Sequence, residues 1–218
     1  THAELQDLVD GLQDAPEPWG GEPESATTVN AKTFFGKNPS DHIETICLDC
    51  SLRAAILLED PILTDPSGPR LGRFDYDAAG KPRYSTDRKL RYVLTLPKGT
   101  GPFGLAVFLH GLEGDRTQVA AVANDLAAIG YATLAVDLPY HGEHPIRVTG
   151  KPSGAGFFSS DVFAVRDTLR EVALEQRQIL LFARERLNGF LRTQLGLAED
   201  APDPIDPARI DFLGVSLG

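Results

Sequence analysis

The chain has 218 residues, 42% of them hydrophobic and 24% charged, an ordinary globular composition that argues against disorder. Its formal charge of −10 argues against a nucleic-acid partner, because phosphate binding needs clustered Lys and Arg. No apolar run reaches the ~20 residues that cross a bilayer, so no transmembrane segment is expected. The chain starts at Thr1 and contains no methionine, which reads as a processed or cloned N-terminus, from which any export signal would already be gone.

Leu5, Leu8, Val9 and Leu12 stand at helical spacing and predict a short surface helix over 2–13. Residues 14–41 are rich in Pro, Gly, Ser, Thr and Asn and read as irregular surface chain, pinned to the body by Trp19, Phe34 and Phe35. From His42 to Pro61 the apolar residues predict buried structure, but their period does not separate strand from helix. His42, Cys47 and Cys50 invite a metal reading, yet a second pair of zinc ligands is absent. A local disulfide and buried free thiols are the alternatives. Asp75 to Gly80 is similar to the start of a calcium loop, but Thr86 stands where the bidentate acid belongs. A hairpin turn between 73–76 and 83–85 is the better expectation.

Leu90 to Leu96 alternates and predicts a strand closed by Pro97. Leu105 to Leu109 is a continuous apolar run, as in a strand buried on both faces of a parallel sheet. A helix capped by Thr117 should follow, run to Ile129 and end at Gly130. Ala132 to Asp137 is the next buried strand, with a loop over 143–158. A long helix is expected from Ser160 or Asp161. Its apolar stripe would be Val165, Leu169, Val172, Leu180, Ala183, Leu187 and Phe190, with Arg and Glu opposite. A connector over 198–208 then delivers the chain to a strand over 210–214. Strand–helix–strand–helix–strand implies an α/β fold, a doubly wound, mostly parallel sheet with right-handed crossovers. Residues 1–89 are assigned to an N-terminal extension with the first hairpin strands, and 90–218 to the core.

The last strand empties into Gly214-Val215-Ser216-Leu217-Gly218. This Gly-x-Ser-x-Gly pattern marks a nucleophile elbow, a sharp strand-to-helix turn that exposes the serine hydroxyl. A Cβ at Gly214 or Gly218 should collide with the neighbouring strand or helix. When a serine attacks an ester carbonyl, preorganised donors must hold the developing oxyanion. The expected donors are the backbone N–H groups of Leu217 and Leu112, the latter in a loop shaped by His110 and Gly111. His110 is expected to hydrogen-bond backbone and shape its loop rather than transfer protons, and His141, in a tight turn after a strand, to have a structural role. The acid and the His base follow the serine in this arrangement. Both are expected in a C-terminal remainder of the domain, joined to Gly218 or present as a second chain. Residues 1–218 alone should therefore lack esterase activity. No cofactor and no metal are expected.

Phe108-Leu109-His110-Gly111, Asp137 to Gly142 and the Ser216 pentapeptide together resemble the front half of an α/β-hydrolase. Two further stretches resemble the bacterial virulence-factor lipases of the Pla-1/cef group. One runs from Gly114-Asp115-Arg116-Thr117 to Ala128; the other is Phe157-Phe158 followed by Arg166 to Arg170. The similarity covers about residues 90–218 and departs at Val215, where that group carries His. It implies a secreted or cell-surface serine carboxylic-ester hydrolase, an esterase or lipase acting on acyl esters or lipids. Tyr140, Phe157 and Phe158 would wall the acyl pocket. A serine peptidase or thioesterase on the same scaffold, or a non-catalytic binding subunit, are the alternatives.

Overall fold

The computed structural model describes residues 28–29, 41–64, 70–83 and 86–218. The helix expected over 2–13, and Trp19, Phe34 and Phe35, lie outside the described residues. The strands are β1 (Thr28–Val29), β2 (Ile43–Ile56), β3 (Thr86–Pro97), β4 (Phe103–Leu109), β5 (Tyr131–Val136) and β6 (Ile205–Gly214). They form a sheet in the order β1-β2-β3-β5-β4-β6. β1, β2, β3 and β5 pair antiparallel in turn, whereas β4 runs parallel to β5 on one side and to β6 on the other. The parallel part is the part that carries the loops of interest. The division expected at residue 89 falls inside β3, and β2 shares its sheet.

Helices cover both faces, and the two-residue period of the strands decides which side chain meets which helix. Tyr92, Leu94, Leu105, Val107 and Leu134 point to one face. They pack there with Leu174, Ile179 and Phe182 of α2 (Val162–Glu185) and Leu187 and Leu191 of α3 (Leu187–Leu195). Val93, Phe108 and Ala135 point to the other face, against Ala123 and Ala127 of α1 (Ala120–Ala128). The fold is therefore α/β with helices wound on both sides of the sheet.

Several local expectations need correction. The turn before α1 is capped by Asp115, not Thr117: Asp115 Oδ1 accepts the Thr117 amide at 2.7 Å, and a 3-10 turn over Arg116–Val119 precedes the helix. The long helix begins as expected, with Asp161 as its cap, but it breaks at Arg186, where φ is −122° and ψ −33°. Its buried face also differs from the expected stripe. Leu169 is exposed, while Asp167, Glu171, Glu175 and Gln178 are buried. The last strand starts five residues earlier than expected, at Ile205. At 75–83 the hairpin turn forms and Tyr76 bridges Pro82. Asp77 Oδ1 serves there as an acceptor for the Ala79 and Lys81 amides, a turn role rather than a cation ligand.

Cys47 and Cys50 are joined in a disulfide inside β2. Cys47 faces Leu94 and Cys50 faces Tyr92 in the register, so three steps on β2 match two on β3. The extra residue is a β-bulge. It explains why the apolar period of this segment failed to declare a strand.

Candidate active site

β6 ends at Gly214 beside the end of β4, and the Val215 amide donates to the Leu109 carbonyl at 3.1 Å. The chain then reverses: Ser216 has φ +56°, left-handed backbone in a residue with a Cβ. Such a conformation costs of order 1–3 kcal/mol and persists only where its surroundings impose it. The two glycines allow it. A Cβ on Gly214 would lie 2.2 Å from Gly218 C, and one on Gly218 would lie 2.4 Å from Leu109 O. Both collisions are with backbone, so neither can be relieved by a rotamer change. Ser216 is left exposed at the tip.

The loop after β4 meets this turn. A Cβ on Gly111 would stand 3.3 Å from Ser216 Cβ and 3.9 Å from Ser216 Oγ, so Gly111 is the point of close approach. The next residue, Leu112, is 44% exposed, and Glu113 takes φ +64° before the Gly114 amide closes a turn on the Gly111 carbonyl at 3.0 Å. Leu217 is partly buried against the core. Ser216, Gly111 and the Leu112 loop are thus brought together.

The histidines have fixed tasks. His110 is fully buried; its Nε2 accepts the Leu138 amide at 3.0 Å, so its proton sits on Nδ1 and is donated to the Gly111 carbonyl at 2.8 Å. That ring rivets the loop after β4 to the loop after β5. His141 is equally buried, and Nδ1 donates to the Pro139 carbonyl at 2.9 Å. Burial holds its pKa below the ordinary imidazole value, opposed by the Pro139 carbonyl. His144 lies 2.8 Å from the buried Glu175 carboxylate through Nε2. The backbone of His42, an exposed residue, pairs with Asn124 and Lys98.

Of the aromatic residues expected at the pocket, Tyr140 and Phe157 lie in the core and Phe158 is 54% exposed. The Tyr140 hydroxyl accepts the Gly72 amide at 2.9 Å. Phe157 packs on His141 at 5.2 Å and on Phe158 at 5.0 Å between ring centroids.

One cluster was not anticipated. Asp137, at the end of β5, accepts from the Arg116 amide at 2.7 Å, the Arg116 guanidinium at 2.5 Å and the Glu143 amide at 2.8 Å. Glu143 closes the ring on Arg116 and on Arg91, and Arg116 holds its carboxyl below the usual carboxylate range. Asp and Arg at loop positions 21 residues apart carry no local signal of this pairing. Its effect is to lock the loop after β4, which meets Ser216 through Gly111, to the loop after β5.

No protein-family model matches this chain, and no curated protein matches it. Solved structures similar to it include an acetyl xylan esterase from Paenibacillus sp. R4. That match has 16% identity and a TM-score of 0.47, over 96% of this chain and 49% of that one. Acetyl xylan esterase 1 from Thermoanaerobacterium sp. is 12% identical with a TM-score of 0.49, over 100% and 50%. A CE15 glucuronoyl esterase from Teredinibacter turnerae is 14% identical with a TM-score of 0.37, over 98% and 45%. The chain spans about half the length of these structures. The strand order, the two-sided helices and the sharp turn out of β6 are those of an α/β-hydrolase fold.

Proposed function

We propose that this chain carries the nucleophile of a serine carboxylic-ester hydrolase, with Ser216 attacking the ester carbonyl to form an acyl-enzyme. The observation that carries the reading is the left-handed backbone of Ser216, forced at an exposed strand end between two glycines that admit no Cβ. The N–H groups of Leu217 and Leu112 stabilise the oxyanion. Gly111 supports the second assignment, since it brings that loop within van der Waals distance of Ser216. Leu112 acts through its amide, which is consistent with a side chain left in solvent.

A general base is still needed. His110 and His144 are buried with both ring nitrogens bonded, and His141 is buried with Nδ1 on the Pro139 carbonyl; in this reading the base and its acid come from a C-terminal remainder of the domain, after the serine. The substrate is an acyl ester. The narrower reading, a lipase of the Pla-1/cef kind, rests on the sequence stretches alone, and the exposed Phe158 is the residue that would meet an acyl chain. The Cys47–Cys50 disulfide favours an oxidising compartment and hence export. Among the described residues no helix is long and apolar enough to cross a membrane.

A fluorophosphonate probe tests the assignment on the full-length protein. The expected result is a single adduct on the peptide containing Ser216, absent from Ser216→Ala. An adduct on another serine, or none in a folded protein, would overturn it and favour a non-catalytic role.

A further inference from the structure

The first turns of α2 hold a cluster that the elbow does not use. Arg73, Arg166 and Arg170 converge on an open cleft of about 470 Å³ with the rings of Phe163 and Tyr76. Its floor is the buried Asp167, and both of that residue's oxygens are occupied. Oδ2 accepts from the Phe74 amide at 3.2 Å and Arg166 Nη2 at 3.1 Å; Oδ1 accepts from Arg166 Nε at 2.7 Å and the Tyr76 hydroxyl at 3.3 Å. Arg170 Nη1 donates to the Tyr76 hydroxyl at 3.1 Å and lies 3.5 Å from Asp167. Arg73 is held from the other side by Asp161 at 2.6 Å.

Three guanidiniums meet two carboxylates here, so the cleft keeps a positive excess in a chain whose formal charge is −10. Arg166 and Arg170 offset the charge of the buried Asp167, whereas Arg73 pairs with Asp161 at the partly exposed rim, where an ion pair contributes little to stability. Phe163 is 53% exposed, an unfavourable place for a large ring, and two guanidiniums stand over it, Arg73 at 5.5 Å and Arg166 at 5.3 Å from its centroid. A buried carboxylate that fixes planar guanidiniums beside an open aromatic face preorganises donors for an oxyanion. The ring offers a surface to whatever carries that oxyanion.

We propose that this cleft binds a small ligand bearing an oxyanion, a carboxylate or a phosphate monoester, on a planar apolar body. Arg166 and Arg170 hold the anionic group, and Phe163 supports the body. The proposal does not depend on Ser216 being a nucleophile.

Isothermal titration of the full-length protein with benzoate, phenyl phosphate and neutral benzamide, at matched ionic strength, tests it. Saturable binding of at least one anion is expected, and the tighter of the two tells carboxylate from phosphate; benzamide should not bind. Arg170→Gln keeps a donor for the Tyr76 hydroxyl but loses the charge, and should weaken anion binding about ten-fold or more. Phe163→Ala, at an exposed position, should weaken it too, while Ser216→Ala should bind as the wild type does. Three outcomes would overturn the proposal: no saturation by either anion, benzamide binding equally well, or wild-type affinity in both folded cleft variants.

Discussion

Asp137→Ala is expected to lower the unfolding free energy by about 3–5 kcal/mol, the cost of leaving a buried charge without its partner. Arg116 has only about a tenth of its side chain exposed, and Asp137 3%. Removing the carboxylate strands the guanidinium and also frees the Arg116 and Glu143 amides. Glu143 cannot compensate fully, because it is about half exposed and shared with Arg91. Asp137→Asn keeps an acceptor but not the charge, and should fall between the variant and the wild type. Urea denaturation at pH 7 checks this: the midpoint should fall with the slope unchanged. A loss below ~1 kcal/mol for the alanine variant would mean that the network is not a structural lock. The loop after β4, which approaches Ser216 at Gly111, hangs from this network, so any ester turnover should fall with the stability.

Glu171 is the second large case, and its sign is opposite to that of most carboxylates. It is fully buried on α2; Oε2 accepts the Leu57 and Leu58 amides at 3.1 and 3.0 Å. Glu171 Oε1 and Glu175 Oε2 are left without partners among the described residues. Burial, and then the negative charge of Glu175, raise the pKa of Glu171 well above its ordinary value. The folded protein therefore holds a proton there that the unfolded chain releases. The stability this contributes is fully present below the unfolded carboxyl range and is lost as pH rises through the folded pKa, at ~1.4 kcal/mol per pH unit per proton. Glu171→Gln mimics the protonated acid: its carbonyl can accept the two amides and its NH₂ can face Glu175. It should match the wild type near pH 5 and exceed it in stability at pH 9. Glu171→Ala strands two buried amides and should cost about 1–3 kcal/mol for each. Urea melts of both variants at the two pH values check this; a glutamine variant that gains nothing at pH 9 would refute the protonated state.

The same residues explain what was legible in the sequence. β4, β5 and the turn at Ser216 were readable because a strand buried on both faces needs an uninterrupted apolar run, and the elbow needs glycine at two fixed positions. The inward face of α2 was not, because Asp167, Glu171, Glu175 and Gln178 share it with Leu174, Ile179 and Phe182. Gln178 donates to the Ala55 carbonyl and accepts the Ala55 amide, at 2.9 and 2.8 Å, as a neighbouring strand would, and Glu171 satisfies the next two residues that bond it. Four buried polar side chains on one helix face interrupt the apolar stripe, and only the tertiary neighbours reveal why. At the site, Ser216 and Gly111 could be found from local pattern, whereas Arg116, Asp137 and Glu143 are joined by loop geometry alone. Likewise the bulge under Cys47 and Cys50 breaks the alternation that would have declared β2.

The central claim is that Ser216 is a nucleophile, and turnover of p-nitrophenyl butyrate by the full-length protein and its Ser216→Ala variant tests it most directly. The account predicts turnover by the wild type and a loss of about 10³-fold or more in kcat for Ser216→Ala at an unchanged melting temperature. Turnover that survives in Ser216→Ala, or a folded wild type that turns over no ester, would contradict it.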